Sequence, residues 1–284
     1  MNELIQKLKY NYKNGDVTVR IIFICTGVFL LNVLMNFIFF RNSGRQFEDF
    51  FGVISGLDGF LRQPWGVFSY LFFHGGILHL VLNMLMVYFI GQMFLRYFRS
   101  ADFLTFFVFG SISGAAAFLI FSGLAHYGGL LIGASAAVYS IFFALVAYVP
   151  KTKVQLFLLN FNIPLDYIAY GLIAYDLFSI YSGNNTGGHV SHLGGAVFGF
   201  LYMKQFEKGN DFLGKLIRSF KSKPKISRPK TNYKTPPKDD YEFNGEKIKK
   251  QKEIDKILDK ISRSGYESLT KEEKDILFNA GRNG

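Results

Sequence analysis

Six apolar stretches, at about residues 21–40, 75–95, 103–124, 130–149, 165–182 and 188–206, constrain this chain more than any other feature. Each is close to the roughly 20 residues that a helix needs to cross a hydrocarbon core about 30 Å thick. In lipid every backbone N–H and C=O has to find its partner inside the protein, and a helix satisfies them within one segment. The expected fold class is therefore all-α: a polytopic membrane protein with six transmembrane helices. The fifth stretch is the least apolar, because it carries Asp166 and Asp176. The third places Gly110 and Gly114 four residues apart, a spacing that lets helices pack closely.

Charge orients the spans. The net charge of the 284 residues is +11, with 32 Lys/Arg against 21 Asp/Glu. Residues 204–284 hold 21 of those bases and 13 of those acids, leaving 11 and 8 for the rest. A basic tail directly after a membrane span follows the positive-inside rule, so membrane lipid is expected beside it and nucleic acid is not. Lys7, Lys9, Lys13 and Arg20 precede or open the first span, Arg96 and Arg99 follow the second, and Lys151 and Lys153 follow the fourth. The links at 122–129 and 183–187 carry no Lys or Arg. Both termini are thus expected in the cytoplasm. The first span is read as retained, since no small-residue cleavage site follows it. Cys25 is the single cysteine, which excludes an intrachain disulfide and a cysteine metal cluster.

The expected organisation is a cytoplasmic lead (1–18), a membrane domain (19–206), a basic juxtamembrane segment and linker (207–245) and a small cytoplasmic helical hairpin (246–284). Phe212, Leu213, Leu216, Ile217 and Phe220 alternate with bases, as in a helix lying on the inner leaflet. Pro224, Pro229, Pro236 and Pro237 mark a linker over 221–240. Ile254, Ile257, Leu258 and Ile261 recur at helical spacing, Gly265 is a stop, and Thr270 with Glu273 reads as a capping box. So small a hairpin needs a cover for its apolar face, and self-association is one way to supply it.

Polar groups inside spans are costly and normally face protein. The second span holds His74, His79 and Asn83, the fourth opens with Ser135, and the sixth opens with His189, Ser191 and His192. All three spans run from outside to inside, and each carries its polar group early. Counted from Leu130 at 1.5 Å per residue, Ser135 lies roughly 7–8 Å deep. Singly, each residue has an ordinary reading: a serine bonded to its own helix, interfacial histidines, an asparagine that packs helices. No acidic or cysteine ligand accompanies the histidines at ligand spacing, so no metal is expected.

Together, at one depth, they suit nucleophilic chemistry. A serine needs a base within hydrogen-bond reach, which His192 can be. His79, the Asn83 amide and the N–H groups opening the fourth helix can serve a developing oxyanion. Gly133 allows close backbone approach, and Tyr139, one turn past Ser135, can pack on the His192 ring.

These residues resemble the rhomboid intramembrane serine proteases. "GASA" is similar to that family's G-x-S-G, "HLVLN" to its H-x-x-x-N, and "HLGGAVFG" to its H-x-G-G/A-G run, with Gly195 and Gly199 as a small-residue pair. Tyr139 matches the family's tyrosine, and "QPWGVFSYLFFH" is similar to the segment entering the second core helix. Ala136 stands where the family has glycine, and Gly66 where it has arginine. The resemblance covers about residues 15–206. It implies a six-helix rhomboid-like bundle, with Ser135 as nucleophile and His192 as base in a dyad without a third acid. His79, Asn83 and the Ser135 N–H would stabilise the oxyanion, with Gly133 and Tyr139 in support. It implies no cofactor or metal, transmembrane proteins as substrates, and a bacterial inner membrane as the location. Two other readings are a non-catalytic rhomboid-like protein that binds or escorts membrane clients, and a transporter with Asp166, Asp176 and His189 as a relay.

Overall fold

The computed structural model describes residues 2–41, 44–155, 162–219 and 240–282. The linker expected over 221–240 lies outside them up to residue 239, as does Phe220. The chain divides into two units, Met1–Ser222 and Lys223–Gly284.

The first unit is a helical membrane bundle. A short helix α1 (Asn2–Asn14) leads into α2 (Val17–Met35), which widens into a π-helical turn at Asn36–Phe40. Asp16 caps α2 by accepting from the N–H groups of Thr18 (2.9 Å) and Val19 (3.1 Å), satisfying two donors that the helix itself leaves open. Its second oxygen accepts from Gln92 (2.5 Å), near the end of the antiparallel helix α5 (Ile77–Leu95). The link between α2 and α5 is itself folded, into a two-residue strand β1 (Val53–Ile54) and the short helices α3 (Gly56–Arg62) and α4 (Gly66–Ser69). There follow α6 (Ser100–Ala125), strand β2 (Leu130–Leu131), α7 (Ser135–Tyr148), an antiparallel strand pair β3 (Lys153–Gln155) and β4 (Asn162–Pro164), α8 (Leu165–Ser182) and α9 (Thr186–Glu207). Helices α2, α5, α6, α7, α8 and α9 occupy the six apolar stretches.

Three segments are long and apolar enough to cross a bilayer on those grounds alone: Val17–Phe40 (mean hydropathy 2.4), Ile77–Leu95 (1.8) and Ser100–Ala125 (2.1). Helix α7 has 14 residues, about 21 Å at 1.5 Å per residue, so it is shorter than the hydrocarbon core. It is also the most enclosed helix: Ala136, Ala137, Ala144 and Leu145 are all 0% exposed. Protein, not lipid, surrounds it. The close fit rests on glycine. Gly110 and Gly114 of α6 face Ser140 and Ala136, while Gly195 and Gly199 of α9 face the carbonyls of the same two residues. A side chain at Gly110, Gly195 or Gly199 would run into α7.

The helix boundary of the fourth stretch departs from expectation. Residues 130–134 are not a helical turn; β2 pairs antiparallel with β1 (Val53↔Leu131, Ile54↔Leu130), and the helix begins at Ser135 itself. An extended residue advances about 3.3 Å against 1.5 Å in a helix. The helical rise used to count Ser135 from Leu130 therefore does not apply to these five residues.

Past α9, helix α10 (Phe212–Ser219) closes the unit. Its Arg218 bonds Asp211 (2.6 Å) and reaches Asp102 at the start of α6 (3.5 Å). Phe212 and Leu216 remain exposed. The second unit holds α11 (Asp240–Ser264) and α12 (Lys271–Arg282). Helix α11 begins six residues before the expected hairpin. Gly265 turns the chain at φ +76°. Thr270 N–H donates to Glu273 (2.8 Å) and Glu273 N–H to the Thr270 hydroxyl (3.3 Å), a reciprocal capping box. Lys260 of α11 pairs with Glu273 (2.8 Å), and Ile257 and Leu269 are buried.

Candidate active site

The segment before Ser135 is held at two points, by the β1–β2 pairing at Leu131 and by the Gly133 N–H, which donates to the Tyr70 carbonyl (3.0 Å). Gly133 has φ +120°, a conformation open to glycine and strained for other residues. A Cβ there would also lie 2.8 Å from both Cε1 and Nε2 of His79. Glycine thus lets the His79 ring lie against the backbone two residues before the serine.

Ser135 is the first residue of α7, so it has no preceding turn of that helix to bond. Its Oγ lies 2.8 Å from His192 Nε2. Two residues 57 positions apart, on α7 and α9, meet at hydrogen-bond distance. The Tyr139 ring stacks on His192, with centroids 4.4 Å apart and planes 21° from parallel, and so limits rotation of the imidazole.

His79 and Asn83 lie one turn apart on α5. The Asn83 amide donates to the His79 carbonyl at 2.9 Å, which uses one of its two N–H groups and leaves the other to point elsewhere. His74, in the loop before α5, is buried with its ring edge-on to His79 (5.1 Å).

One residue of this cluster was not placed in the site by the sequence reading. Asp176 of α8, fully buried, accepts at Oδ1 from His189 Nδ1 (2.6 Å) and contacts His192 Nδ1 (3.1 Å). The family pattern implied a dyad without an acid; this chain puts an acid behind its histidine. Nor do the acids form a relay. Asp166 pairs with Lys151 (2.6 Å) at the other end of α8, ten residues or about 15 Å from Asp176. A signal for Asp176 was present in the "GNN" turn. Asp176 stands seven residues before Gly183 and His192 seven after Asn185, so a tight α8–α9 hairpin brings them level. The turn forms with Gly183 and Asn185 both left-handed (φ +76° and +46°).

Asp176, His189 and His192 each offer one ligand-type atom within 4.8 Å of the others, so an acid does accompany the histidines, against the sequence expectation. In this arrangement both histidines contact the one carboxylate oxygen directly, and their rings meet edge to face (5.4 Å).

Residues 61–206 match the family model of the rhomboid domain, which is just over half of the chain. The chain belongs to the rhomboid family. Residues 239–279 match a second model, a family of unknown function (DUF6576). No curated protein matches the chain.

The two departures from the rhomboid pattern now have a structural account. Ala136 is 0% exposed, and its methyl group packs toward Gly114 of α6. It fills the interface between helices. At Gly66 a Cβ would run into the Gly52 carbonyl, so the backbone leading to β1 occupies the space where an arginine stem would begin. Trp65 beside it donates to the Phe50 carbonyl (2.8 Å).

Proposed function

We propose that this rhomboid domain is an intramembrane serine protease that hydrolyses peptide bonds in or near transmembrane segments of other membrane proteins. The observation that carries the reading is the 2.8 Å contact between Ser135 Oγ and His192 Nε2 inside a membrane bundle. His192 Nε2 takes the Ser135 proton as Oγ attacks the scissile carbonyl. The tetrahedral oxyanion is met by the Ser135 N–H at the positive end of α7, with His79 and Asn83 as side-chain donors. His192 then gives its proton to the leaving amine, and water repeats the sequence on the acyl-enzyme. No cofactor enters these steps. The site would open toward the outer face of the inner membrane, with both termini in the cytoplasm.

The test is covalent labelling of the purified protein with a fluorophosphonate, which reports an activated serine. The wild type is expected to take up label, and Ser135→Ala and His192→Ala are expected to lose it while still inserting into membranes. A folded wild type that takes up none would put the non-catalytic, client-binding reading in its place.

A further inference from the structure

Asp176 is a buried carboxylate that a Ser–His dyad does not use. It is 0% exposed, and its ion-pair partners among the described residues are His189 (2.6 Å) and His192 (3.1 Å). Both contacts fall on Oδ1, while Oδ2 is buried without a hydrogen-bond partner among the described residues. A carboxylate taken out of water is costly unless a cation or several donors compensate it. Neutral imidazoles and the Tyr139 hydroxyl, which also interacts with the carboxylate, compensate it only in part. The compensation becomes complete when an imidazole becomes an imidazolium, which is what His192 does as Ser135 attacks.

We infer that Asp176 is a positioning residue for the reaction, the third member of a Ser135–His192–Asp176 triad within the membrane. The inference rests on the proposed protease reading. His192 Nε2 faces Ser135 Oγ (2.8 Å) and must accept a proton there, so the ring's own proton belongs on Nδ1. Asp176 Oδ1 lies on that side and accepts it. An acceptor at Nδ1 selects the tautomer that leaves Nε2 free to act as base. In the transition state the proton leaves Ser135 Oγ for Nε2, while the Nδ1 proton stays on the ring. The pair becomes carboxylate with imidazolium, an attraction stronger than in the ground state, which is the condition for raising kcat. His189, one helical turn before His192, donates to the same oxygen and fixes the carboxylate from the other side. Tyr139 stacks on the face of the ring. His192 is therefore held by one contact on its face and one on its edge.

The decisive variant is Asp176→Asn, in full-length protein cleaving a fluorogenic transmembrane peptide in detergent. The expected result is a kcat lower by about 10²–10⁴-fold with KM and thermal stability near wild type. In a His192→Ala background the same change is expected to cost no further rate, because Asp176 acts through His192. A kcat for Asp176→Asn within about threefold of wild type overturns the triad and leaves the dyad protease standing. So does an equal loss of rate with and without His192. A wild type that neither cleaves nor takes up fluorophosphonate removes the protease reading and the triad with it, a distinguishable outcome. If Asp176→Asn does not fold, nitrogen-15 NMR of the histidine rings in the wild type decides. An Nδ1-protonated His192 supports the triad, and an Nε2-protonated His192 overturns it.

Discussion

At the scale of single residues, the candidate site depends on contacts that leave little latitude. Gly133 combines φ +120° with a ring 2.8 Å from where a Cβ would stand. Gly133→Ala is expected to lose roughly 1–3 kcal/mol of stability through backbone strain and, by displacing His79, most of its activity. Thermal unfolding and peptide cleavage on the same preparation check both. Asn83→Ala is expected to lower kcat about 10²–10³-fold, as loss of an oxyanion donor does, with stability little changed. Matched losses of stability and rate would instead mark Asn83 as a helix-packing residue, a role its bond to the His79 carbonyl (2.9 Å) also permits. Tyr139→Phe keeps the ring on His192 and is expected to keep most activity. Tyr139→Leu removes a stack of about 0.5–1.5 kcal/mol, and kcat is expected to fall between about two- and tenfold.

At the scale of elements, α7 is the piece on which everything else converges. Its surroundings are glycine faces: Gly110 and Gly114 from α6, Gly195 and Gly199 from α9. Gly199 meets the Ser140 carbonyl, which belongs to the backbone and cannot swing aside. Gly199→Val is therefore expected to push α9 off α7, costing about 1–3 kcal/mol as overpacking does and separating His192 from Ser135. Gly171→Ala, on α8 where a Cβ meets open space, is the matched control and is expected to be neutral or slightly stabilising. Unfolding in mixed micelles measures both. Helix packing at the Gly199 end should thus govern a hydrogen bond two turns away.

At the scale of the whole molecule, all the residues proposed for catalysis lie in the unit Met1–Ser222, as do α10 and its Arg218 contacts to Asp211 and Asp102. Deleting residues 223–284 is expected to leave detergent-phase cleavage within about twofold of the full chain. A monodisperse truncation without activity would show coupling between the tail and the site. The tail has a fold of its own kind, with Ile257 and Leu269 buried and Leu258 48% exposed. Its effect is expected in self-association or substrate delivery, read by comparing the sizes of the two proteins in the same detergent.

The six apolar helices, the meeting of Ser135 with His192, and the family itself were legible in the order of residues. Apolar run length and motif spacing are local properties, and lipid leaves the backbone little choice but helix. The start of α7 was not legible. Leu130–Ala134 is as apolar as a helix, and only pairing with β1, from a link more than seventy residues earlier, draws it out as a strand. The placement of Ala136 was decided in the same way, by Gly114 on another helix. Asp176 is the sharpest case. By sequence it is an acid that weakens a span; in the bundle it is the partner of two histidines. A charge in a membrane is judged by what faces it, and although the spacing about the turn sets Asp176 level with His192, only the packing of α8 against α9 makes them partners.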